Sequence, residues 1–224
     1  TMPDSQLILL AYSKWGEGSP KYLIGDFAFI IWDEKLQKLF GARDFSGSRT
    51  LYYSNTKGFS LCTIIEPLLT LPNIKKEVNE QWIAEFLAIT GMVDVVDSTI
   101  TPYKNIFQVP PSHSVTVTRE TIKLRQYCTL KDEKPIKFKN DQDYVEAFKS
   151  VYDQAILSRL RTHRNIGAQL SGGLDSGSIV SFAVKHLQNS SMLHTYSYIP
   201  KEDFIDFTPR YLLPDERPLI KSTV

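Results

Sequence analysis

The chain has 224 residues, of which 42% are hydrophobic and 23% charged, a composition ordinary for globular domains that excludes collagen and low-complexity chains. Its 26 basic and 25 acidic residues leave a net charge of +1, so no long-range field attracts nucleic acid or an anionic membrane, and any anion site is local. At roughly 100–200 residues per domain, we expect two small domains.

The cysteines and the N-terminus predict a cytoplasmic protein. Cys62 and Cys128 lie far apart and outside any CxxC or Cys/His cluster, which argues against a disulfide framework and against structural zinc. No apolar run approaches the roughly 18 residues that cross a bilayer. The first residues also lack the basic and apolar regions of a signal peptide. We therefore expect a cytoplasmic location and no membrane partner.

The first half of the chain predicts a helix, several strands and a hairpin. Apolar residues recur at helical spacing from Asp4 to Trp15, and the glycines and proline of 16–20 end this helix. Four strand-like stretches follow, at 27–32, 38–42, 50–54 and 59–63. They imply one sheet, and the unbroken apolarity of the first predicts a strand covered on both faces. Asn79 is expected to cap a further helix, and 113–118 pairs with 121–127 as a hairpin.

A polar, proline-containing stretch at 131–142 predicts the linker between two domains, residues 1–130 and 143–224. Beyond it, an amphipathic stripe predicts a long helix capped by Asn140 or Asp141. The remaining elements form a βαβ unit with parallel strands: a strand at 166–170, a turn at 171–175, a helix starting at Ser176 and a strand at 193–199. The fold class is therefore mixed, α+β in the first domain and α/β in the second.

The turn Ser171-Gly172-Gly173-Leu174-Asp175-Ser176 lies where α/β folds bind their ligands, at the carboxyl end of a parallel strand. The two adjacent glycines allow the backbone to adopt positive φ and to approach a ligand closely, and the following helix presents its unpaired N–H groups to an anion. Asp175 would repel a phosphate unless a Mg²⁺ ion lay between them. The loop has neither the lysine of a Walker A motif nor the spacing of a dinucleotide loop. The alternative is that this segment binds no ligand and is only a strand-to-helix turn, with glycines for steric reasons and a serine as helix cap.

The segment from Leu170 to Ser176 resembles the SGGxDS pyrophosphate loop of the N-type ATP pyrophosphatases, and within them the asparagine synthetase B-like family. Segments at 25–53 and 109–127 are similar to the glutaminase domain of that family. The resemblance implies a partial Ntn-hydrolase-type glutaminase sandwich over residues 1–130. It also implies that 143–224 hold the first βαβ unit of an adenine-nucleotide α-hydrolase-like parallel sheet.

The same resemblance implies an asparagine synthase-like reaction, ATP-dependent amide-bond formation through an acyl-adenylate with release of AMP and pyrophosphate. By position, ATP or pyrophosphate would be bound by Leu170, Ser171, Gly172, Gly173, Asp175, Ser176 and Tyr198. Asp175 would also bind Mg²⁺, and Asp4 matches the acidic residue that binds the α-amine of glutamine. The implied partners are a small-molecule or peptide carboxylate, glutamine or ammonia, and a second copy in a homodimer.

Departures from the family pattern bear on activity. The family's N-terminal nucleophilic cysteine and its adenylating lysine are absent from this chain, so no catalytic residue is assigned and no glutaminase activity is expected. We expect the chain to be a piece of a longer protein and to be inactive alone. Asp215 and Glu216 match a position that opens the next helix, with a structural role or one near Mg²⁺. Ser112 stands where the family usually has glycine.

Three alternatives stay open at this point. The first is a lasso-peptide or β-lactam-type cyclase whose glutaminase half serves only as a scaffold. The second is a non-catalytic remnant of a nucleotide-binding protein. The third and most remote is an aspartic protease-like site built on the tetrapeptide Asp175-Ser176-Gly177-Ser178, because paired carboxylates in such turns share a proton.

Overall fold

A computed structural model describes residues 2–88, 96–130, 135–162, 164–187, 192–209 and 213–223. The chain divides into two compact units, residues Thr1–Glu133 and Lys134–Val224. Within the described ranges, none of the helices combines the length and the apolarity needed to cross a membrane.

Helix α1 spans Asp4–Trp15, the bounds that the apolar spacing predicts. A 3₁₀ helix, Gly16–Tyr22, follows it, where the sequence indicates only the end of a helix. Gly16 has a φ of 55°, a conformation that few side chains tolerate and that ends the α-helix. The tighter turn then continues through the buried Ser19 and Pro20.

The first sheet has four antiparallel strands in the order β1-β2-β6-β7. They span Ala28–Asp33, Lys38–Arg43, His113–Val117 and Ile122–Gln126. The register pairs Phe29 with Ala42 and Ile31 with Phe40, and these four side chains form a buried cluster. Helix α1 packs on this face, because Ile8 and Tyr12 contact the cluster. The hairpin predicted at 113–127 is confirmed as β6 and β7.

A second sheet of three strands, in the order β4-β3-β5, contains Ser60–Cys62, Tyr52–Ser54 and Phe107–Gln108. A core of Leu51, Val109 and Val115 joins the two sheets, with Leu61 and Ala28 packed against it. The prediction of one sheet from the four early strands is therefore wrong. Alternation of apolar residues identifies strands, but it does not specify which strands pair.

Strand β1 is not covered on both faces, contrary to its unbroken apolarity. It lies at the edge of its sheet. The face with Phe29 and Ile31 is buried, whereas Ile30 is 39% exposed and Trp32 is 57% exposed. The second sheet covers Ala28 at the start of the strand, so the outward-facing residues further along remain exposed.

Two further helices complete the first unit. The short helix α2, Glu66–Leu69, contributes Leu68 to a third buried cluster with Ile74 and Ile106. Helix α3 spans Glu80–Ala88. The Asn79 side-chain oxygen accepts a hydrogen bond from the Trp82 N–H at 3.4 Å, the capping contact that the sequence predicts.

A buried network of hydrogen bonds lies at the end of strand β2 in the first unit. The carboxylate of Asp44 is fully buried and accepts hydrogen bonds from the N–H groups of Ser48 and Arg49 at 3.0 and 2.9 Å. Burial opposes its ionisation, but these N–H groups outweigh burial and hold the pKa of Asp44 below its usual value. The Tyr127 hydroxyl donates to the Arg43 carbonyl at 2.7 Å and so fastens the end of the hairpin to β2.

The second unit begins with helix α4, Asp141–Arg159, and Asn140 caps it by accepting from the Asp143 N–H at 3.0 Å. Of the predicted linker, 131–134 lie outside the described residues, and its last two residues belong to this helix. Strands β8, Ile166–Gln169, and β9, Leu193–Tyr196, pair in parallel on either side of helix α5 in the chain, Leu174–His186. The parallel βαβ unit is thus present. Helix α6 spans Arg217–Thr223.

Candidate functional site

The candidate site lies where the two parallel strands end. The Leu170 N–H donates to the Tyr196 carbonyl at 2.9 Å, and the Ser197 hydroxyl donates to the Leu170 carbonyl at 2.7 Å. Leu170 is buried and is the last residue held by the sheet. The chain then turns through 171–173 directly into α5, so the loop stands at the carboxyl end of β8.

The loop is held in shape by its two serines. The hydroxyl oxygens of Ser171 and Ser176 lie 2.9 Å apart, and the Ser176 oxygen also accepts from the Ser171 N–H at 3.0 Å. The Gly173 N–H donates to the Ser171 hydroxyl at 3.2 Å. The N–H groups of Ser171 and Gly173 therefore have acceptors close by in the chain, one in the loop and one in the first turn of α5.

Helix α5 begins at Leu174, two residues before the sequence predicts. The N–H groups of residues 174–176, as in the first turn of any α-helix, have no acceptor within the helix. The N-cap is Gly173, which has no side chain to accept from them. Such an end attracts an anion. The donor set of uncapped N–H groups and two hydroxyls therefore fits a phosphate group.

The loop does not use the positive φ that its two adjacent glycines allow. Neither Gly172 nor Gly173 has positive φ, and Gly173 has a φ of −81°. Glycine at 172 is needed for close packing instead, because a Cβ atom there would lie 2.8 Å from Leu219 Cδ1 and 3.2 Å from Glu216 Cβ. Both neighbours come from a distant segment: Glu216 lies 44 residues further along the chain, directly before α6, and Leu219 belongs to that helix.

The same neighbour supplies a charged group to the loop. The Gly172 N–H donates to the Glu216 carboxylate at 3.0 Å. The sequence indicates the position of Glu216 at the start of a helix, but not this contact. Next to it, hydrogen bonds from the Arg217 guanidinium hold the pKa of Asp215 below its usual value.

Asp175 lies in the first turn of α5, rather than in the turn before it, and is exposed. Its carboxylate is therefore open to an ion and a phosphate at the helix end. Over the residues that the structure describes, no three His, Cys, Asp or Glu side chains converge as a metal cluster. A Mg²⁺ ion held by Asp175 fits this arrangement, since Mg²⁺ commonly uses one or two carboxylates and completes its shell with phosphate oxygens and water.

The other predicted site residues belong to other segments of the chain. Tyr198 follows β9 and is 89% exposed. Asp4 is the first residue of α1 and is exposed, in the first of the two units. The tetrapeptide Asp175-Ser176-Gly177-Ser178 lies within helix α5, a setting unlike the turn of an aspartic protease.

Comparison with known proteins matches each half of the chain to a family. Residues 1–128 match the family model described as a glutamine amidotransferase domain, and residues 147–207 match that of asparagine synthase. The glutamine-hydrolyzing asparagine synthetase 3 of Bacillus subtilis (strain 168) is 29% identical over 223 residues, which are 98% of this chain and 36% of that protein. The amidase chry2 of Gibberella zeae is 28% identical over 88% of this chain and 29% of its own length.

Among solved structures, that of the allosteric regulatory enzyme of purine biosynthesis aligns with 95% of this chain and 39% of its own. Its sequence identity is 12% and its TM-score is 0.32, a similarity too weak to establish a shared fold. The family matches do not depend on it. This chain spans about a third of the length of the curated relatives it matches. It belongs to the glutamine amidotransferase domain family and is asparagine synthetase-like.

Proposed function

We propose that this protein takes part in ATP-dependent amide-bond formation, as an enzyme of the amidotransferase and ligase family. A carboxylate substrate attacks the α-phosphate of ATP, pyrophosphate leaves, and the acyl-adenylate then reacts with ammonia to form the amide and AMP. The observation that carries the proposal is the Ser171–Ser176 loop, which leads from a parallel strand into the uncapped end of α5. The asparagine synthase match over residues 147–207 supports it.

In this proposal the loop binds the pyrophosphate portion of ATP. The N–H groups at the start of α5 and the hydroxyls of Ser171 and Ser176 donate hydrogen bonds to phosphate oxygens. Gly173, the N-cap of α5, has no side chain that could block these N–H groups. The missing Cβ of Gly172 lets the loop pack against α6. Asp175 holds a Mg²⁺ ion, which would neutralise the charge of the leaving pyrophosphate. Without an ion the Asp175 carboxylate would weaken phosphate binding.

The adenosine portion would lie beside the strand ends. Leu170 is the last residue bonded to the neighbouring strand and supplies a buried apolar surface. Tyr198, almost fully exposed two residues beyond β9, offers an aromatic ring to the base. Both residues follow strands that pair in parallel, so both emerge at the same edge.

We propose that the glutamine amidotransferase half of the complete protein supplies the ammonia for the amide bond. We propose that Asp4, at the start of α1, binds the α-amine of glutamine in the complete protein. Free ammonia is the other source. The carboxylate is a small molecule or a peptide, the cellular setting is the cytoplasm, and a homodimer is the proposed assembly.

The decisive experiment compares Asp175→Ala with the full-length wild type. L-Aspartate is the first carboxylate to offer, because asparagine is its amide and relatives are named asparagine synthetases. We expect Asp175→Ala to abolish aspartate-dependent pyrophosphate release. Asp206→Ala is the matched control, since Asp206 is exposed in the same unit and its oxygen bonds only the nearby Thr208 N–H among the contacts described. Unchanged release in Asp175→Ala would refute the assignment.

A further inference from the structure

Glu216 is a charged acceptor from outside the loop, whereas the other loop N–H groups bond to nearby serine hydroxyls. The N–H groups of Ser171 and Gly173 bond to hydroxyls of the loop itself and of the first turn of α5. The Gly172 N–H instead bonds to a carboxylate that comes from 44 residues away, at 3.0 Å. An anion of the protein therefore already occupies the central N–H of a loop whose chemistry suits an external anion.

Helix α6 holds this carboxylate in place by close packing. The backbone of Gly172 is so near α6 that a Cβ atom would lie 2.9 Å from Leu219 Cβ. At the other end of the contact, a Cβ on Gly177 of α5 would lie 3.8 Å from Thr223. The N–H groups of Leu219 and Ile220 bond to the Glu216 carbonyl, so Glu216 is tied to the first turn of α6 that follows it. The helix and the carboxylate thus approach the loop as one element.

The charge of Glu216 is not neutralised by the neighbouring arginine. The Arg217 guanidinium forms three hydrogen bonds with the Asp215 carboxylate, the shortest at 2.6 Å. Asp175, in the first turn of α5, adds a further negative charge to the loop. An incoming phosphate would therefore meet both a carboxylate on the Gly172 N–H and a like charge nearby.

We propose that Glu216 is an autoinhibitory carboxylate that competes with the phosphate ligand for the Gly172 N–H. Because one N–H makes one well-aligned hydrogen bond, pyrophosphate binds fully only when Glu216 and the start of α6 move off the loop. This inference rests on the proposed function, since it takes pyrophosphate as the ligand of the loop. It assigns Glu216 a role in setting affinity rather than in the reaction.

The test measures binding of Mg²⁺-pyrophosphate to the full-length protein by titration calorimetry. Glu216→Gln keeps the size of the side chain and removes its charge, and Glu216→Ala removes the acceptor as well. We expect both variants to bind about tenfold more tightly than the wild type, which corresponds to about 1.4 kcal/mol. The control is Glu202→Gln, which removes an equal charge from an exposed position in the same unit. Its affinity should match that of the wild type.

A second measurement needs no ligand. Hydrogen exchange of the Gly172 amide should be faster in Glu216→Ala than in the wild type or the Glu202→Gln control, because no side-chain acceptor protects it there. The amide oxygen of Glu216→Gln can still accept this hydrogen bond, so that variant tests the charge alone. Wild-type affinity in both Glu216 variants, or wild-type exchange in Glu216→Ala, would overturn the inference, while sensitivity of binding to Asp175→Ala would leave the proposed function standing. If neither the wild type nor the variants bind Mg²⁺-pyrophosphate, the proposed function fails and this inference fails with it.

Discussion

Replacing Asp44 by asparagine tests the buried network of the first unit. One carboxylate oxygen accepts from the Ser46 hydroxyl and the Ser48 N–H, and the other accepts from the Arg49 N–H at 2.9 Å. An amide of the same shape has only one acceptor oxygen. Whichever way it turns, its NH₂ group faces a backbone N–H, so Asp44→Asn places two donors against each other in a fully buried position.

The expected cost follows from these contacts. An unsatisfied buried donor costs about 1–3 kcal/mol, and the remaining bonds lose the strength that comes from an ionised acceptor. The neutral amide is less costly to bury than a carboxylate, which offsets part of this loss. We therefore expect Asp44→Asn to lower the free energy of unfolding by about 2–4 kcal/mol at pH 7.

The pH dependence has a definite sign. The pKa of Asp44 in the folded protein lies below its ordinary value of 3.8. The ionised carboxylate therefore contributes stability that is complete above that value and is lost as the pH falls through the folded pKa. The difference between wild type and Asp44→Asn should accordingly be largest near neutral pH and should shrink below about pH 4.

The assay is urea unfolding followed by tryptophan fluorescence. All 3 tryptophans, Trp15, Trp32 and Trp82, belong to the first unit, so the signal reports that unit. The control is Glu34→Gln, an exposed change of equal charge on the same unit. The Asp44 carboxylate does not have this stabilising role if Asp44→Asn is as stable as the wild type at neutral pH, or if the difference between them stays constant down to about pH 2.5.

Three further substitutions test single contacts. Tyr127→Phe leaves the buried carbonyl of Arg43 without its 2.7 Å donor and should cost about 1–2 kcal/mol by the same urea assay. Asn140→Ala removes the side-chain cap of α4 and should cost about 1 kcal/mol, visible as faster amide exchange in the first turn of that helix. Gly172→Ala drives a methyl group against Leu219 and should cost about 1–3 kcal/mol, with faster exchange throughout α6; unchanged exchange there would contradict the packing.

The helices and strands that could be predicted are those specified by residues close to one another in the sequence. Apolar spacing placed α1 at its observed bounds, and the polar side chains of Asn79 and Asn140 marked the starts of α3 and α4. The two-residue strand Phe107–Gln108 was missed, because so short a segment has no periodicity of its own. It becomes a strand only because β3 lies beside it.

The backbone conformation at Ser112 explains a departure from the family pattern that the sequence alone leaves unexplained. Ser112, where the family usually has glycine, has a φ of 66°, and its hydroxyl donates to the Cys128 carbonyl at 2.8 Å. The left-handed conformation explains why glycine suits this position. The hydrogen bond stabilises the serine there and links the turn before β6 to the end of the hairpin.

The sequence alone determined the longer helices and strands, the parallel βαβ unit and the position of the glycine-rich loop at its strand end, because apolar spacing, caps and turns depend on residues a few positions apart. It did not predict the short elements Glu66–Leu69 and Phe107–Gln108. Only the tertiary structure divided the early strands between two sheets and left one face of β1 exposed. It also brought Glu216 and Leu219 onto Gly172, so that the glycine serves close packing rather than a positive φ. Contacts between residues 44 positions apart depend on how the chain returns on itself, which local spacing does not encode.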